Sequence, residues 1–335
     1  MNNLNRPTSA PPAIRGLHHV TAIGSDPLTN FRFYTQTLGL RLVKKTVNFD
    51  DPGTYHLYYG DGQGQPGTIL TFFPWPGARR GSRGAGQATA TSFLVPAESL
   101  DFWQHRLEGQ GVIVEGISTR FDDEKVLSFL DPDGLKLELI ARSSEEDGTP
   151  WQTPEISPEQ AIRGFDGVTL TVQNRKATGD ILEAMGYRAE REQGARTRYV
   201  GDATVLGAIV DVLHTPQQGL GRVAAGSVHH VAFRVASDEE QLAWRERLIE
   251  AGMMITPVKD RQYFHSIYFR EPGGVLFEIA TDPPGFTFDE SPKALGTSLR
   301  LPPWLEGQRQ QLEATLPALN IETGEAAKIE AGGSR

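Results

Sequence analysis

Apolar and polar residues alternate along four short segments of this chain, and each segment is followed by a pattern typical of a helix. Alternation with a period of two predicts a strand with one buried face, whereas apolar residues three and four apart predict an amphipathic helix. After each helix the chain returns to strand patterns, which in two cases turn at "DPDG" or "EPGG". The four opening strands are "GLHHVTAI", "ATATSFLV", "FDGVTLTV" and "VHHVAFRV".

The repeated order of elements predicts four βαβββ modules and an α+β fold. Modules one and two would form a first half over residues 16–143, and modules three and four a second half over residues 163–284. The segment 144–162 between them is rich in Ser, Pro and acidic residues, which is typical of a linker. Residues 1–15 are expected to be a flexible N-terminus, and residues 285–335 a tail with one helix.

Composition favours a small-molecule partner. The chain has 335 residues, of which 38% are hydrophobic and 22% are charged, as in globular proteins. A formal net charge of −9 provides no basic surface for nucleic acid or an anionic membrane. No apolar run predicts a membrane span or a signal peptide, so a cytoplasmic location is expected. The chain has no cysteine, so a metal site would use His, Asp or Glu.

Strand alternation indicates which histidines face an open cavity. In "HHVAFRV", His229 shares a face with the apolar residues, which should pack against the helix, and His230 lies on the other face. The same rule applied to "VLFEIATD" puts Glu278 on the open side. His19 occupies the register of His230 in the first module, so the second histidine of each pair is the matching one.

The four modules differ at the two register positions that face this open side. If modules one and four share a sheet, their cavity collects two imidazoles and one carboxylate. Modules two and three have no imidazole at either position, so that half is predicted to be a degenerate copy in which Glu138 is exposed or hydrogen-bonded. The opening-strand position holds His19, Ala90, Gly167 and His230 in modules one to four, and the closing-strand position holds Thr71, Glu138, Asp211 and Glu278.

His19, His230 and Glu278 therefore predict a metal site. Two neutral imidazoles and one carboxylate form the facial triad that suits non-haem Fe(II) and leaves neighbouring coordination positions open. Open positions allow two reactants to meet on one metal ion. Mn(II) accepts the same ligands, whereas Zn(II) favours a tetrahedral site with fewer open positions.

Several longer motifs carry a family resemblance. The "HHV" strands, "LGLRLVKKTVNFDDPGTYHLYYGD", "GTILTFFPWP" and "IYFREPGGVLFEIATD" resemble the hydroquinone-cleaving dioxygenases of the glyoxalase/bleomycin resistance/dioxygenase (vicinal oxygen chelate) superfamily. The resemblance implies two glyoxalase-like domains, with modules one and four paired around the iron and modules two and three paired in the other. It also implies Fe(II), less often Mn(II), and a small aromatic diol and O₂ as substrates. The sequence leaves a homo-oligomer open.

The resemblance further implies roles beside the metal for His18, Thr21, His229, Arg261 and Tyr268. Alternation assigns His18 and His229 to the opposite face, so the roles of these two depend on the resemblance alone. Arg261 also fits a polar surface turn, and Tyr268 also fits an ordinary strand aromatic. The remaining histidines have no partner at a matching register, although the position of His265 between Arg261 and Tyr268 leaves it as a candidate for the pocket wall: His56, His105, His214 and His265.

Other functions remain as alternatives. A catechol-type extradiol dioxygenase would use the same three ligands. Glyoxalase-type isomerases share the fold but typically use four protein ligands, and Thr71 at the fourth position argues against them. A metal-free binding protein of this superfamily would not need His19, His230 and Glu278 together.

Overall fold

The first half of the chain forms two βαβββ modules. A computed structural model describes residues 12–142, 149–202 and 204–319. Module one consists of β1 (Leu17–Gly24), α1 (Pro27–Arg32) with a π-helical continuation (Phe33–Thr37), β2 (Arg41–Asn48), β3 (Asp51–Gly60) and β4 (Ile69–Pro74). Module two consists of β5 (Gln87–Val95), α2 (Leu100–Gly109), β6 (Ile113–Arg120), β7 (Glu124–Leu130) and β8 (Lys136–Ala141).

The second half repeats this order and adds a C-terminal segment. Module three consists of β9 (Gly164–Val172), α3 (Arg175–Ala184), β10 (Arg188–Gln193), β11 (Arg196–Val200) and β12 (Ile209–His214). Module four consists of β13 (Ser227–Val235), α4 (Asp238–Glu250), β14 (Lys259–Asp260), β15 (His265–Arg270) and β16 (Leu276–Thr281). The C-terminal segment contains short 3₁₀ turns and α5 (Arg309–Thr315).

Two eight-stranded sheets result, and each combines two modules. The first has the order β14-β15-β16-β13-β1-β4-β3-β2, and the second the order β10-β11-β12-β9-β5-β8-β7-β6. Modules one and four therefore share a sheet, as do modules two and three, which confirms the predicted pairing and the α+β fold. In each sheet the opening strands of the two modules pair antiparallel at the centre.

The helices cover one face of each sheet, as the strand alternation predicts. On β13, Val231 and Phe233 are fully buried in a core that also contains Trp244 and Leu248 of α4. Ser237 caps α4 by accepting a hydrogen bond from the Glu240 backbone amide. The opposite face of the first sheet is left for polar side chains, and the site is built there.

The C-terminal segment covers part of the β2 edge of the first sheet. Leu299 forms a bridge with Lys45 of the edge strand β2, and the Arg300 amide donates to the Lys45 carbonyl. Covering an edge strand removes unpaired backbone groups that would otherwise pair with other chains. Residues 1–11 and 320–335 lie outside the described residues, and with them most of the N-terminus expected to be flexible. Within the described ranges, no helix is long and apolar enough to span a membrane.

A buried carboxyl group joins module two to module one. Asp131, in the turn between β7 and β8, accepts hydrogen bonds from the backbone amides of Asp133 and Leu135 at 2.9 and 2.8 Å. Its other oxygen accepts a hydrogen bond from the Tyr34 hydroxyl at 2.9 Å. Burial raises the pKa of Asp131 from 3.8 to about 7, although the amide hydrogen bonds oppose this shift.

The raised pKa predicts a measurable pH dependence of stability. Because the folded state favours the protonated acid, Asp131 stabilises the fold fully below pH 3.8, and this stabilisation is lost as the pH rises through about 7. Relative to an Asp131→Asn variant, the free energy of unfolding should fall by up to about 1.4 kcal/mol per pH unit in that window. Denaturant unfolding at several pH values measures the difference, and parallel pH profiles would contradict the prediction.

Candidate metal centre

Three side chains converge from the centre of the first sheet. His19 on β1 and His230 on β13 bring their Nε2 atoms within 3.3 Å of each other. Glu278 on β16 places Oε2 2.8 Å from Nε2 of His230 and 3.4 Å from Nε2 of His19. All three residues are buried, and their ligand atoms lie within 4.8 Å of one another. The predicted pairing of modules one and four thus gathers the predicted ligand set.

Two β-bulges adjoin the ligands, and strand alternation alone missed them. Between the pairs Leu17–Phe233 and His19–Ala232 the register shifts at His18, and a second shift falls at His229. A bulge inserts an extra residue and re-aims its side chain. The prediction that His18 and His229 point away from the site is therefore wrong. His18 Nδ1 lies 2.9 Å from His19 Nδ1, and His229 Nδ1 lies 2.7 Å from His230 Nδ1.

Each of the two predicted ligand imidazoles has a neighbouring histidine beside its Nδ1 atom. A ligand that binds through Nε2 carries its proton on Nδ1, and each Nδ1 here has an imidazole acceptor beside it. In that tautomer Nε2 of His19, Nε2 of His230 and Oε2 of Glu278 present lone pairs to one another with no proton between them. The other Glu278 oxygen accepts a hydrogen bond from Ser266. The donor set therefore fits a divalent cation of the Fe(II) or Mn(II) kind.

The protonation states suit the same cation. Burial lowers the pKa of His230 below 6.5, and burial together with the adjacent His230 lowers the pKa of His229 to about 3. Burial and the adjacent His19 hold the pKa of His18 well below 6.5. Burial raises the pKa of Glu278, but the facing imidazoles outweigh burial and hold this pKa well below 4.5. The site thus combines a carboxylate with neutral imidazole at His230 near neutral pH.

A cavity of about 380 Å³ opens beside the ligands. His19, His229 and His230 are among the residues that line it. Its volume lies near the lower end of the roughly 300–1,000 Å³ that is typical of small-molecule sites. Six Phe, Tyr and Trp side chains line its walls, which suits a flat apolar ring: Phe49, Tyr58, Phe73, Trp75, Phe264 and Tyr268.

Arg261 and Tyr268 lie together on the module-four wall of this cavity. Arg261 Nε donates to the Tyr268 hydroxyl at 3.0 Å, and Nη2 donates to Asp50 at 2.9 Å. The Tyr268 ring lies edge-on to the predicted ligand His230, with ring centroids 5.6 Å apart. Because the Tyr268 oxygen accepts from a cation, its own proton is available to a group in the cavity.

Thr21 lies on the module-one side, where the structure adds residues that the sequence reasoning left out. Thr21 Oγ1 is 3.0 Å from Thr71 Oγ1, which is 2.7 Å from His56 Nε2. The Tyr58 hydroxyl is 2.8 Å from His56 Nδ1, and His56 and Tyr58 both line the cavity. An alignment of "HLY" in β3 with "SIY" in β15 would have paired Tyr58 with Tyr268 and exposed this signal.

The other three histidines lie elsewhere. His105 Nδ1 contacts the Asp101 carbonyl within α2, and His214 Nε2 contacts the Gln173 carbonyl. His265 Nδ1 contacts Asp238 at 2.7 Å near the start of α4. None of these three lines the cavity beside His19 and His230.

In the second sheet, arginine side chains bind the carboxylates that occupy the register of Glu278. Arg120 donates to both Glu138 oxygens at 2.9 Å, so the expectation of a hydrogen-bonded carboxylate at Glu138 is confirmed. Arg198 donates to Asp211 through Nε at 2.8 Å, and also donates to Glu124. The carboxylates that a metal would need in this half are thus neutralised by guanidinium groups.

Comparisons with known proteins agree with this geometry. Residues 16–139 and 153–279 match the Glyoxalase/Bleomycin resistance protein/Dioxygenase superfamily. The Bacillus subtilis (strain 168) protein named "Putative ring-cleaving dioxygenase MhqO" is 48% identical over 304 residues, which cover 90% of this chain and 95% of that protein. The chlorohydroquinone/hydroquinone 1,2-dioxygenase of Sphingobium indicum is 38% identical over 317 residues, or 91% of this chain and 97% of that protein.

A solved structure supports the same relationship. The crystal structure of a "putative dioxygenase" from Bacillus subtilis subsp. subtilis str. 168 has a TM-score of 0.88 and 46% sequence identity to this chain. The match covers 92% of this chain and 98% of that one. With its two matched regions, its paired βαβββ modules and its buried His-His-Glu cluster, this chain belongs to the glyoxalase/bleomycin resistance protein/dioxygenase superfamily.

Proposed function

We propose that the protein is a non-haem Fe(II)-dependent ring-cleaving dioxygenase that acts on a hydroquinone-type aromatic diol. The observation that carries this proposal is the buried cluster of His19, His230 and Glu278, of which the two histidines also line a cavity with several aromatic side chains. The names of the relatives point to the same chemistry. Bound there, Fe(II) would supply neighbouring open positions at which a phenolic oxygen and O₂ can meet.

The remaining residues have distinct roles in this proposal. The aromatic walls hold the ring and exclude water, which strengthens polar interactions inside the cavity. A para-diol offers only one oxygen to the metal, so its distal hydroxyl needs a protein partner. The Arg261–Tyr268 pair supplies a hydrogen-bond donor for that oxygen or for negative charge that develops on the ring. His18 and His229 hold the ligand tautomers and offer imidazole nitrogens near the site for proton movement.

The isomerase alternative is less well supported by the same site. A four-ligand centre would need a carboxylate or imidazole where module one has Thr71. The Thr71 hydroxyl contacts Thr21 and His56 instead. A three-ligand site with open positions suits oxygen chemistry better.

Oxygen uptake tests the proposal directly. The protein is reconstituted anaerobically with Fe(II), and in parallel with Mn(II), and is then mixed with O₂ and either hydroquinone or catechol. We expect iron-dependent oxygen consumption with a higher kcat/KM for hydroquinone than for catechol. A strong preference for catechol would reject the para-diol substrate, but the assignment as a ring-cleaving dioxygenase would stand. No uptake with either diol at full metal loading would reject the dioxygenase.

The Arg261–Tyr268 pair provides a second prediction. Arg261→Ala and Tyr268→Phe should each lower kcat/KM for hydroquinone while iron content stays at the wild-type level, because these side chains act on the organic substrate. A lost hydrogen bond to a charged group in a desolvated site costs about 1.5–3 kcal/mol, or roughly ten- to more than hundredfold in rate. Arg247→Ala, on the exposed face of α4, serves as the matched control. Iron loss in Tyr268→Phe would contradict the assigned role.

A further inference from the structure

The internal symmetry of the first sheet places Thr71 at the position of a metal ligand. Thr21 of β1 pairs with Thr71 of β4, as Ala232 of β13 pairs with Glu278 of β16. Both Thr71 and Glu278 are fully buried. Module one therefore presents a hydroxyl group at the register where module four presents its carboxylate, and none of the three predicted ligands occupies that position.

The same symmetry relates the partners of these two residues. Tyr58 pairs with Thr71 across β3 and β4, as Tyr268 pairs with Glu278 across β15 and β16. Two residues before each tyrosine lie His56 and Ser266. Ser266 donates a hydrogen bond to Glu278. His56, in the corresponding place, contacts Thr71 at 2.7 Å.

The His56 ring is held in one orientation, so it can fix the orientation of the Thr71 hydroxyl that it contacts. Its ring packs between Tyr58 and Phe73, with centroid distances of 4.0 and 4.3 Å. Both ring nitrogens are engaged, Nδ1 with the Tyr58 hydroxyl and Nε2 with Thr71. The imidazole therefore has little freedom to turn, and its partners are neutral hydroxyl groups.

One arrangement of protons satisfies every hydrogen bond in the series Tyr58–His56–Thr71–Thr21. It also leaves one hydroxyl proton free to be donated in the site. Tyr58 donates to His56 Nδ1, and His56 donates through Nε2 to Thr71. Thr21, 3.0 Å away, donates to the second lone pair of Thr71. A hydroxyl oxygen has one proton and two acceptor sites, so Thr71 then has both lone pairs filled and its own proton unassigned.

We propose that His56 is a positioning residue that turns the Thr71 hydroxyl toward the coordination side that module one leaves without a ligand. There Thr71 donates a hydrogen bond to the phenolic oxygen of the diol. This inference rests on the proposed function and names a second donor, which module one supplies beside the Arg261–Tyr268 pair of module four. A preorganised donor aimed at a developing oxyanion stabilises it more than solvent does.

A double-mutant cycle tests whether His56 acts through Thr71. His56→Phe keeps an aromatic ring at this position but removes both ring nitrogens. Thr71→Val keeps the branched shape of the side chain but removes its hydroxyl. We expect each single variant to retain iron and to lower kcat/KM for hydroquinone by about tenfold or more. The kcat/KM of the double variant should be no lower than that of the less active single variant. His56→Gln, whose amide can donate to Thr71, should recover part of the loss.

Other results of the cycle would overturn the inference. Multiplied losses in the double variant would mean that His56 acts independently of Thr71. Wild-type kinetics in His56→Phe, or losses matched by an equal loss of folded protein in thermal denaturation, would mean a purely structural role.

A readout that does not need turnover separates this inference from the proposed function. Co(II) replaces iron, its visible spectrum reports the ligand set, and hydroquinone is titrated anaerobically. Thr71→Val and His56→Phe should leave the spectrum without substrate unchanged and should each weaken hydroquinone binding about tenfold. A changed spectrum in Thr71→Val would make Thr71 a ligand and overturn the inference.

A gain-of-ligand variant completes the test. Thr71→Glu combined with His56→Ser gives module one the pair that module four has. This variant should change the Co(II) spectrum by adding a ligand, and it should abolish hydroquinone binding. An unchanged spectrum would show that position 71 does not face the metal. If the wild-type protein consumes no O₂ with either diol, the proposed function fails, and the spectra and titrations still decide the role of His56.

Discussion

Replacement of Glu278 by Ala should abolish iron retention and oxygen consumption together. Glu278 is fully buried and supplies the only carboxylate in the predicted ligand set. Without it, two neutral imidazoles would have to hold a dication with no balancing charge. Substitutions in the outer shell of metal sites already cost about 10–100-fold in affinity. The loss of a direct ligand should exceed that range, which iron analysis after anaerobic reconstitution and desalting measures.

Glu138 provides the matched control for this experiment. It occupies the same register in the second sheet, where it binds Arg120 and accepts a hydrogen bond from Ser92 at 2.8 Å. Glu138→Gln should therefore leave iron content unchanged. A Glu278→Ala protein that retains full iron and activity would refute the assigned metal site. Iron loss in Glu138→Gln with an intact fold would place the metal in the second sheet.

Replacement of Arg198 by Ala should cause the largest loss of stability among the substitutions considered. The Arg198 side chain is 1% exposed and donates to Glu124 at 2.6 and 2.9 Å and to Asp211 at 2.8 and 3.0 Å. Its removal leaves buried carboxylates with fewer cationic partners. Breaking a buried ion pair by removing one partner costs about 3–5 kcal/mol, which denaturant unfolding measures.

Arg191 is the control of the same residue type. It donates to Asp123 at 2.9 Å, but the Asp123 side chain is 66% exposed and the Arg191 side chain is 38% exposed. Exposed ion pairs contribute about 0–1 kcal/mol, so Arg191→Ala should change stability little. Similar losses in the two variants would show that burial does not make the Arg198 network important. The iron content of folded Arg198→Ala protein should be normal, because this network lies in the other sheet.

The repeated hydrophobic pattern determined most of the architecture. Each module repeats the same order of strand and helix signals, and a single module cannot bury its apolar face alone, so the modules must pair. Strand alternation placed His19, His230 and Glu278 on one open face, because side chains along a strand point to opposite faces in turn. The pairing of modules one and four followed from a chemical requirement, since no other pairing brings the two imidazoles together.

Only the tertiary structure decided what surrounds these three residues. Alternation fails at His18 and His229 because each lies at a β-bulge, and a bulge depends on how two strands pair rather than on the sequence of one strand. The partnership of His56 with Thr71 likewise required β3 to lie beside β4, and that of Arg261 with Asp50 required the first and last modules to meet. Local sequence determines which face a side chain takes in a regular strand, whereas contacts between distant strands determine what that side chain meets.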